Sequence, residues 1–227
     1  MNYVDRQDAG RQLAAALQSY KDQDVVVLAL PRGGIVLGAA VAHALHAPLG
    51  LVLVRKIAHP AAPEYALGAI AEGDVAIYDE HAILQVDEEW IEEAEAQSKA
   101  LIDARRNRYY GDDFTPPSVT GKTVIIVDDG IATGLTFQAA IQAIRRQNPA
   151  RVIVAAPVAS QESVYDLRSI CDDIIILGDP HLFSGAVGAH YDRFEQVNDE
   201  EVRKLLWEVQ DDIQKTTPAG TLSLTSR

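Results

Sequence analysis

Apolar residues fall in short, nearly unbroken runs at 25–30, 49–54, 124–127, 152–158 and 174–177, rich in Val, Ile and Leu. A strand with one wet face alternates apolar and polar residues. An unbroken run belongs to a strand covered on both faces. Between the runs lie 35–46, 135–147 and 161–170, which have helical length and are rich in Ala, Leu and Ile. This alternation predicts right-handed βαβ crossovers and a parallel sheet of about five strands with helices on both faces. A further long helix is predicted over 87–110. Asp87 caps it, Glu88, Glu89, Glu92 and Glu93 open it, and Arg105, Arg106 and Arg108 close it, in the sense the helix dipole favours. Its charges read as a solvated face. Segment 111–120, with Pro116-Pro117, reads as a connection. Segment 57–78 holds Pro60, Pro63, Gly68 and Gly73 directly after a strand and predicts a long loop containing a short hairpin. Residues 215–227 are Thr/Ser-rich without apolar period and read as a disordered tail. No composition shift divides the remainder, so one domain over 1–212 and a tail over 213–227 are expected.

Composition narrows the class. The 227 residues are 48% hydrophobic and 23% charged, which is globular. A net charge of −13 argues against nucleic-acid or anionic-membrane partners but leaves room for a local basic pocket. The single cysteine, Cys171, excludes an internal disulfide and a Cys-rich zinc site, and beside an apolar run it reads as a small buried side chain. No run reaches transmembrane length, and residues 1–5 lack the basic start and apolar core of a signal peptide. A soluble cytoplasmic protein is therefore expected. The six histidines show no ligand spacing, and no metal site built from side chains is expected. Gly121-Lys122-Thr123 is not a nucleotide P-loop. Pro116 stands where that loop needs glycine, and the triplet precedes a strand.

The chemistry concentrates in Val124-Ile125-Ile126-Val127-Asp128-Asp129-Gly130-Ile131-Ala132-Thr133-Gly134-Leu135-Thr136. An apolar strand ends in two adjacent carboxylates, a turn with two glycines follows, and a helix begins. Strand ends are where open α/β sheets bind ligands. The helix start offers free N–H groups to a phosphate, and Thr133 and Thr136 can add hydroxyls. Adjacent carboxylates repel unless a cation, hydroxyls or a basic side chain compensates them. A lone Asp-Gly would read as a turn and cap, but the whole string asks for a ligand.

The string resembles the phosphoribosyl-pyrophosphate (PRPP) motif of the type I phosphoribosyltransferases: four apolar residues, two acids and a Thr-Gly-x-Thr loop. The resemblance implies that Asp128 and Asp129 contact the ribose hydroxyls. It assigns the 5′-phosphate to Ala132, Thr133, Gly134, Leu135 and Thr136. Three further matches follow. Pro31-Arg32-Gly33-Gly34, after the first strand, is similar to the family's pyrophosphate loop. Arg55 and Lys56, expected to close the second strand, would add charge for the same group. Phe183, in Asp179-Pro180-His181-Leu182-Phe183, resembles the aromatic ring of the hood that stacks on the base, with Tyr191 as its alternative. The Ala-Thr-Gly loop is closest to the adenine type, in which an acid on a mobile loop after the second strand takes the base's proton. That role would fall to Glu72, in Ala71-Glu72-Gly73, and secondarily to Glu64.

The implied fold is a type I phosphoribosyltransferase core with a small hood, the resemblance covering about residues 20–195 and leaving 87–110 as an extra piece. The implied activity is that of a pentosyltransferase of nucleotide salvage. It would transfer the 5-phosphoribosyl group from Mg-PRPP to a purine-like base and release pyrophosphate, with Mg²⁺ carried mainly by PRPP. The alternative is a PRPP-sensing regulator that has kept the site and lost turnover. PRPP and a nucleobase-like acceptor are the implied partners, and a homodimer the implied assembly.

Overall fold

The computed structural model describes residues 2–216, apart from the side chains of Glu64 and Gln214. In chain order the elements are α1 (Arg6–Ala16), β1 (Val25–Ala29), α2 (Gly34–Leu45), β2 (Leu49–Leu51), β3 (Val54–His59), β4 (Ala62–Ala71), β5 (Val75–Tyr78) and α3 (Glu88–Tyr110). There follow β6 (Thr123–Val127), α4 (Leu135–Arg145), β7 (Arg151–Ala156), α5 (Gln161–Arg168), β8 (Asp173–Ile176) and α6 (Asp199–Thr216).

The five expected strands form one parallel sheet in the order β2-β1-β6-β7-β8. Their unbroken apolar character has the predicted cause. Along β1, Val25, Val27 and Ala29 point into one core layer while Val26, Leu28 and Leu30 join the other. Ile125 and Val127 of β6 alternate in the same way with Val124 and Ile126. The first layer is closed by α1, α2, α6 and the end of α3, through Leu13, Leu37, Val41, Leu206 and Tyr109. The second is closed by α4 and α5, through Phe137, Ile141, Ile144 and Leu167. Burying each large aliphatic side chain contributes about 1.5–3 kcal/mol, which makes these two layers the main stabilising term.

Segment 57–78 departs from expectation. It is not a loop with a hairpin inside it but the bulk of a second sheet, antiparallel, in the order β3-β4-β5. Ala69, Ala71 and Val75 of this sheet pack on Ala139 and Ala143 of α4. Small residues on both surfaces let sheet and helix approach closely. The prolines sit at the outer end of the β3–β4 hairpin, where the pairing register shifts. There a missing N–H costs least.

The long helix forms as predicted. Asp87 caps it, accepting from the N–H groups of Glu89 (3.0 Å) and Trp90 (3.3 Å). Helix α6 runs to Thr216, four residues beyond the expected domain end at 212. The rest of the expected tail, 217–227, lies outside the described residues. Cys171 is half-buried and burial raises its thiol pKa. No helix among the described residues is long and apolar enough to cross a membrane.

Candidate active site

The sheet order places the site before any side chain is considered. From β1 the chain crosses to β2 on one side. From β6 it crosses to β7 on the other. The β1/β6 boundary is therefore the topological switch point, the usual ligand position of an open α/β sheet. Residues 31–34 follow β1, and residues 128–134 follow β6.

The two loops touch. Gly33 has φ −60° and ψ −41°, which any residue could adopt, but a Cβ there would lie 1.8 Å from Asp129 Oδ2. A Cβ on Gly34 would lie 2.7 Å from the Val127 carbonyl oxygen and 2.9 Å from Asp128 Oδ1. The glycines are required by close approach, not by backbone angle. The Pro31–Arg32 peptide bond between β1 and these glycines is cis. Arg32 reaches Asp199 at the start of α6 (3.9 Å), an acid that also takes the Tyr109 hydroxyl (2.8 Å) and Arg108.

Asp128 and Asp129 stand at the end of β6. The Asp129 N–H donates to Asp128 Oδ1 (2.8 Å). Burial, followed by the charge of Asp129, holds the Asp128 carboxyl well above the ordinary range. Burial also raises Asp129, and against it Arg6 lowers it, with Nε 2.7 Å from Asp129 Oδ2. Burial thus pushes both carboxyls up, with the Asp129 charge adding to it at Asp128, which favours accepting a proton or a hydroxyl donor. Arg6 carried no motif in the sequence. The only hint was Asp5, which caps α1 by accepting from the Asp8 N–H and so sets Arg6 at the first helical position.

The loop that the resemblance assigns to the 5′-phosphate runs directly into α4. Gly134 adopts a left-handed φ of +77° immediately before α4, and no side chain caps the helix among the described residues. Its first N–H groups are therefore available to an anion. Ala132 and Thr133 are exposed while Gly134 is buried. The loop is braced from α5. The hydroxyls of Ser160 and Ser163 each lie 2.7 Å from the Ala132 carbonyl oxygen. Ser160 also caps α5. The sequence reading missed these serines, although Ser160 directly before the helical segment 161–170 is an N-cap signal.

The outlying candidates divide. Phe183 stacks on His190, with centroids 5.3 Å apart and planes at 16°. Phe183 also borders a small cavity with Val158, Ala159, Asp179 and Leu182. Tyr191, its alternative as a base-stacking ring, is otherwise employed. It is 6% exposed, packed between Tyr3 (5.6 Å) and Phe194 (4.9 Å), and its hydroxyl donates to the Asp129 carbonyl oxygen (2.6 Å). It braces the acid pair and offers no free face to a base.

Arg55 and Lys56 do not close the second core strand, which ends at Leu51. They lie within β3, paired with Ile70 and Ala69 of β4, and alternation puts them on opposite faces.

Glu72 is likewise not on a mobile loop over the crevice. Its N–H donates to the Leu53 carbonyl oxygen (3.0 Å), its Oε1 accepts from Leu53 N–H (3.3 Å), and its Oε2 meets Arg106 of α3 (2.6 Å). Arg146, just past α4, donates to the Gly73 carbonyl oxygen (3.0 Å). Glu72 therefore lies by the C-terminal end of α4, about 16 Å of helix from the phosphate loop at its other end. Glu64 lies on β4 at the outer end of the hairpin. Neighbouring Tyr65 donates to Asp79 (2.7 Å), and that bond, then burial and the Asp79 charge, raise its pKa.

The position of Glu72 makes a prediction. Burial raises its pKa, opposed first by Arg106. An acid whose folded pKa is raised loses stability as pH climbs from the ordinary value of 4.5 through the raised one. Glu72→Gln is expected to flatten that part of the stability–pH curve, measured by urea unfolding, and to leave any turnover unchanged. A variant with the wild-type pH slope, or with lost turnover, would return Glu72 to the candidates.

Comparison with known proteins agrees with this geometry. A family model described as a phosphoribosyl transferase domain matches residues 3–191. A provisionally named phosphoribosyl transferase of Mycobacterium tuberculosis is 39% identical over 203 residues, 88% of this chain and 45% of that protein. The chain thus spans about half the length of the curated relatives it matches. The crystal structure of TT1426 from Thermus thermophilus is similar at 39% identity and a TM-score of 0.76, covering 92% of this chain and 99% of that one.

Proposed function

The chain belongs to the phosphoribosyl transferase domain family, and from that premise we propose that it transfers the 5-phosphoribosyl group of PRPP to a nitrogenous, purine-like base with release of pyrophosphate. The observation that carries this reading is the contact between Gly33-Gly34 and Asp128-Asp129 at the switch point, beside the uncapped start of α4. In this reading the glycine loop would take the pyrophosphate, the acid pair the ribose diol and the start of α4 the 5′-phosphate.

The 5′-phosphate would take the N–H groups of 132–136 and the Thr133 and Thr136 hydroxyls. Asp128 and Asp129 would accept the ribose hydroxyls. Backbone at Gly33 and Gly34 would approach the pyrophosphate. As pyrophosphate departs, ribose C1 gains positive charge, and the base nitrogen attacks it from the opposite face. The protein supplies positioning and electrostatic stabilisation and forms no covalent bond.

Among the described residues no three His, Cys, Asp or Glu side chains converge to hold a metal ion. The hard carboxylate oxygens beside the pyrophosphate loop fit a Mg²⁺ that arrives with PRPP and takes most of its oxygens from it. When bound, the ion would neutralise charge on the leaving pyrophosphate.

The hood supplies the base site in this reading. Phe183→Ala is expected to weaken the acceptor by about 1–3 kcal/mol, as lost base–aromatic stacks do, and PRPP much less. Binding titrations of each ligand would check the split. A variant that loses PRPP instead, or does not fold, would make Phe183 a core residue.

The test of the whole reading is incubation with Mg-PRPP and a panel of purine, pyrimidine and related bases, following pyrophosphate release. Release with one base supports transfer. PRPP binding without release for any base favours a sensor, and no PRPP binding overturns both.

A further inference from the structure

Arg6 occupies a position that neither the motif nor the family match assigns. It opens α1, yet its side chain leaves the helix and is only 12% exposed. Its Nε lies 2.7 Å from Asp129 Oδ2, its Nη1 donates to the Glu195 carbonyl oxygen, and its guanidinium lies 3.7 Å above the Phe194 ring. The same Nε is 3.0 Å from the point where a Gly33 Cβ would stand. The guanidinium therefore fills the wedge between the acid pair, the pyrophosphate loop and the 194–195 segment.

The segment that delivers it is tied down. Tyr3 and Val4 run parallel to 190–193 through three backbone bonds, Tyr3 N–H to His190 O (2.8 Å), Asp192 N–H to Tyr3 O (2.8 Å) and Arg193 N–H to Val4 O (3.0 Å). Arg193 also pairs with Asp5 (2.7 Å). Tyr191, in the middle of this zipper, holds the Asp129 main-chain carbonyl (2.6 Å). Asp129 is thus gripped twice by one structural unit, at its side chain by Arg6 and at its backbone by Tyr191.

We propose that Arg6 is a positioning residue of the phosphoribosyl site: it fixes Asp129 Oδ2 against the pyrophosphate loop, so that the remaining oxygens of the acid pair face the ribose, and it offsets negative charge that would otherwise repel a polyanionic substrate. Planar guanidinium contacts of this kind give direction as well as charge. Arg6 acts through Asp129 and need not touch the substrate. The inference rests on the PRPP-binding reading above.

The test compares wild type with Arg6→Met, Arg6→Lys, Asp129→Asn and the Arg6→Met/Asp129→Asn double variant, by calorimetric titration with Mg-PRPP and thermal unfolding of each. Arg6→Met is expected to weaken PRPP about tenfold, and Arg6→Lys to recover most of that. In the double variant the Met change should add less than about twofold to the loss caused by Asp129→Asn, because coupled residues are not additive. Should Arg6→Met fail to fold, Arg6→Gln against Arg6→Lys carries the same comparison. Wild-type affinity in Arg6→Met, or in Arg6→Gln where it replaces it, overturns the inference, as do losses that multiply in the double variant. Wild-type protein that does not bind PRPP overturns the phosphoribosyl reading itself.

Discussion

Asp128→Asn combined with Asp129→Asn is expected to weaken PRPP by about 10²-fold or more while the protein stays folded. Two charge-assisted contacts to the ribose are removed, each worth roughly 1.5–3 kcal/mol, and every 1.4 kcal/mol is about tenfold in affinity. Persistence of the fold follows from the direction of the pKa shifts. Burial raises both carboxyls, so the charged forms are disfavoured in the folded state. The stability these groups contribute is present below the ordinary carboxylate pKa and declines as pH rises through the raised values. Neutral Asn side chains do not decline. At neutral pH the variant loses the Arg6 contact but no longer buries carboxylate charge, so the fold is expected to persist. Isothermal titration with Mg-PRPP and a denaturant midpoint check the two halves. Unchanged PRPP affinity would end the assignment of the pair to ribose, and loss of folding would make the pair structural.

Gly33→Ala is expected to weaken PRPP by about tenfold or more through a single methyl group. The backbone angles of Gly33 suit alanine, so no torsional strain enters. The added carbon would sit 1.8 Å from Asp129 Oδ2, far inside van der Waals contact. Either the carboxylate swings away, breaking its 2.7 Å contact with Arg6, or the 31–34 loop lifts from the crevice. Both displace groups that would hold the substrate, and overpacking of this kind costs about 1–3 kcal/mol in stability as well. Titration with PRPP, together with the unfolding midpoint, measures both effects. Wild-type affinity would show that the contact between the two loops is not part of the binding site. A Gly34→Ala variant should behave similarly, because its methyl group would meet the Val127 carbonyl, which is backbone and cannot rotate away.

The core of the protein was legible before the structure because burial writes itself into composition. A strand covered on both faces must be apolar at every position, and five such runs became the five parallel strands with ends shifted by only a few residues. The acid pair, the Gly33-Gly34 turn and the 132–136 loop were legible because each compresses a chemical requirement into a few consecutive residues. Helix α6 was legible in principle. Val202, Leu206 and Val209 keep a helical spacing and are fully buried, yet no expectation was placed there. Helix α1 was harder, because its buried face is Ala9, Gly10, Leu13 and Ala14 and small residues carry little periodic signal.

What the chain alone could not decide was which distant residues meet. Prolines and glycines in 57–78 suggested a loop, because local propensity does not report that Ala69 and Ala71 will pack on Ala139 and Ala143 of α4. Glu72 looked suited to a mobile loop, yet Leu53 and Arg106 hold it at the far end of α4. Tyr191 looked like a hood aromatic, yet Tyr3 and Phe194 enclose it and its hydroxyl braces Asp129. Arg6 carried no motif and only the cap at Asp5 beside it, since its meaning lies 123 residues away at Asp129. The sequence by itself determined the parallel core and the phosphoribosyl motif, both products of local pattern. The tertiary structure alone decided which charges and rings support that motif, because electrostatic partners and packing neighbours are set by distance in space, and the chain order does not encode that distance.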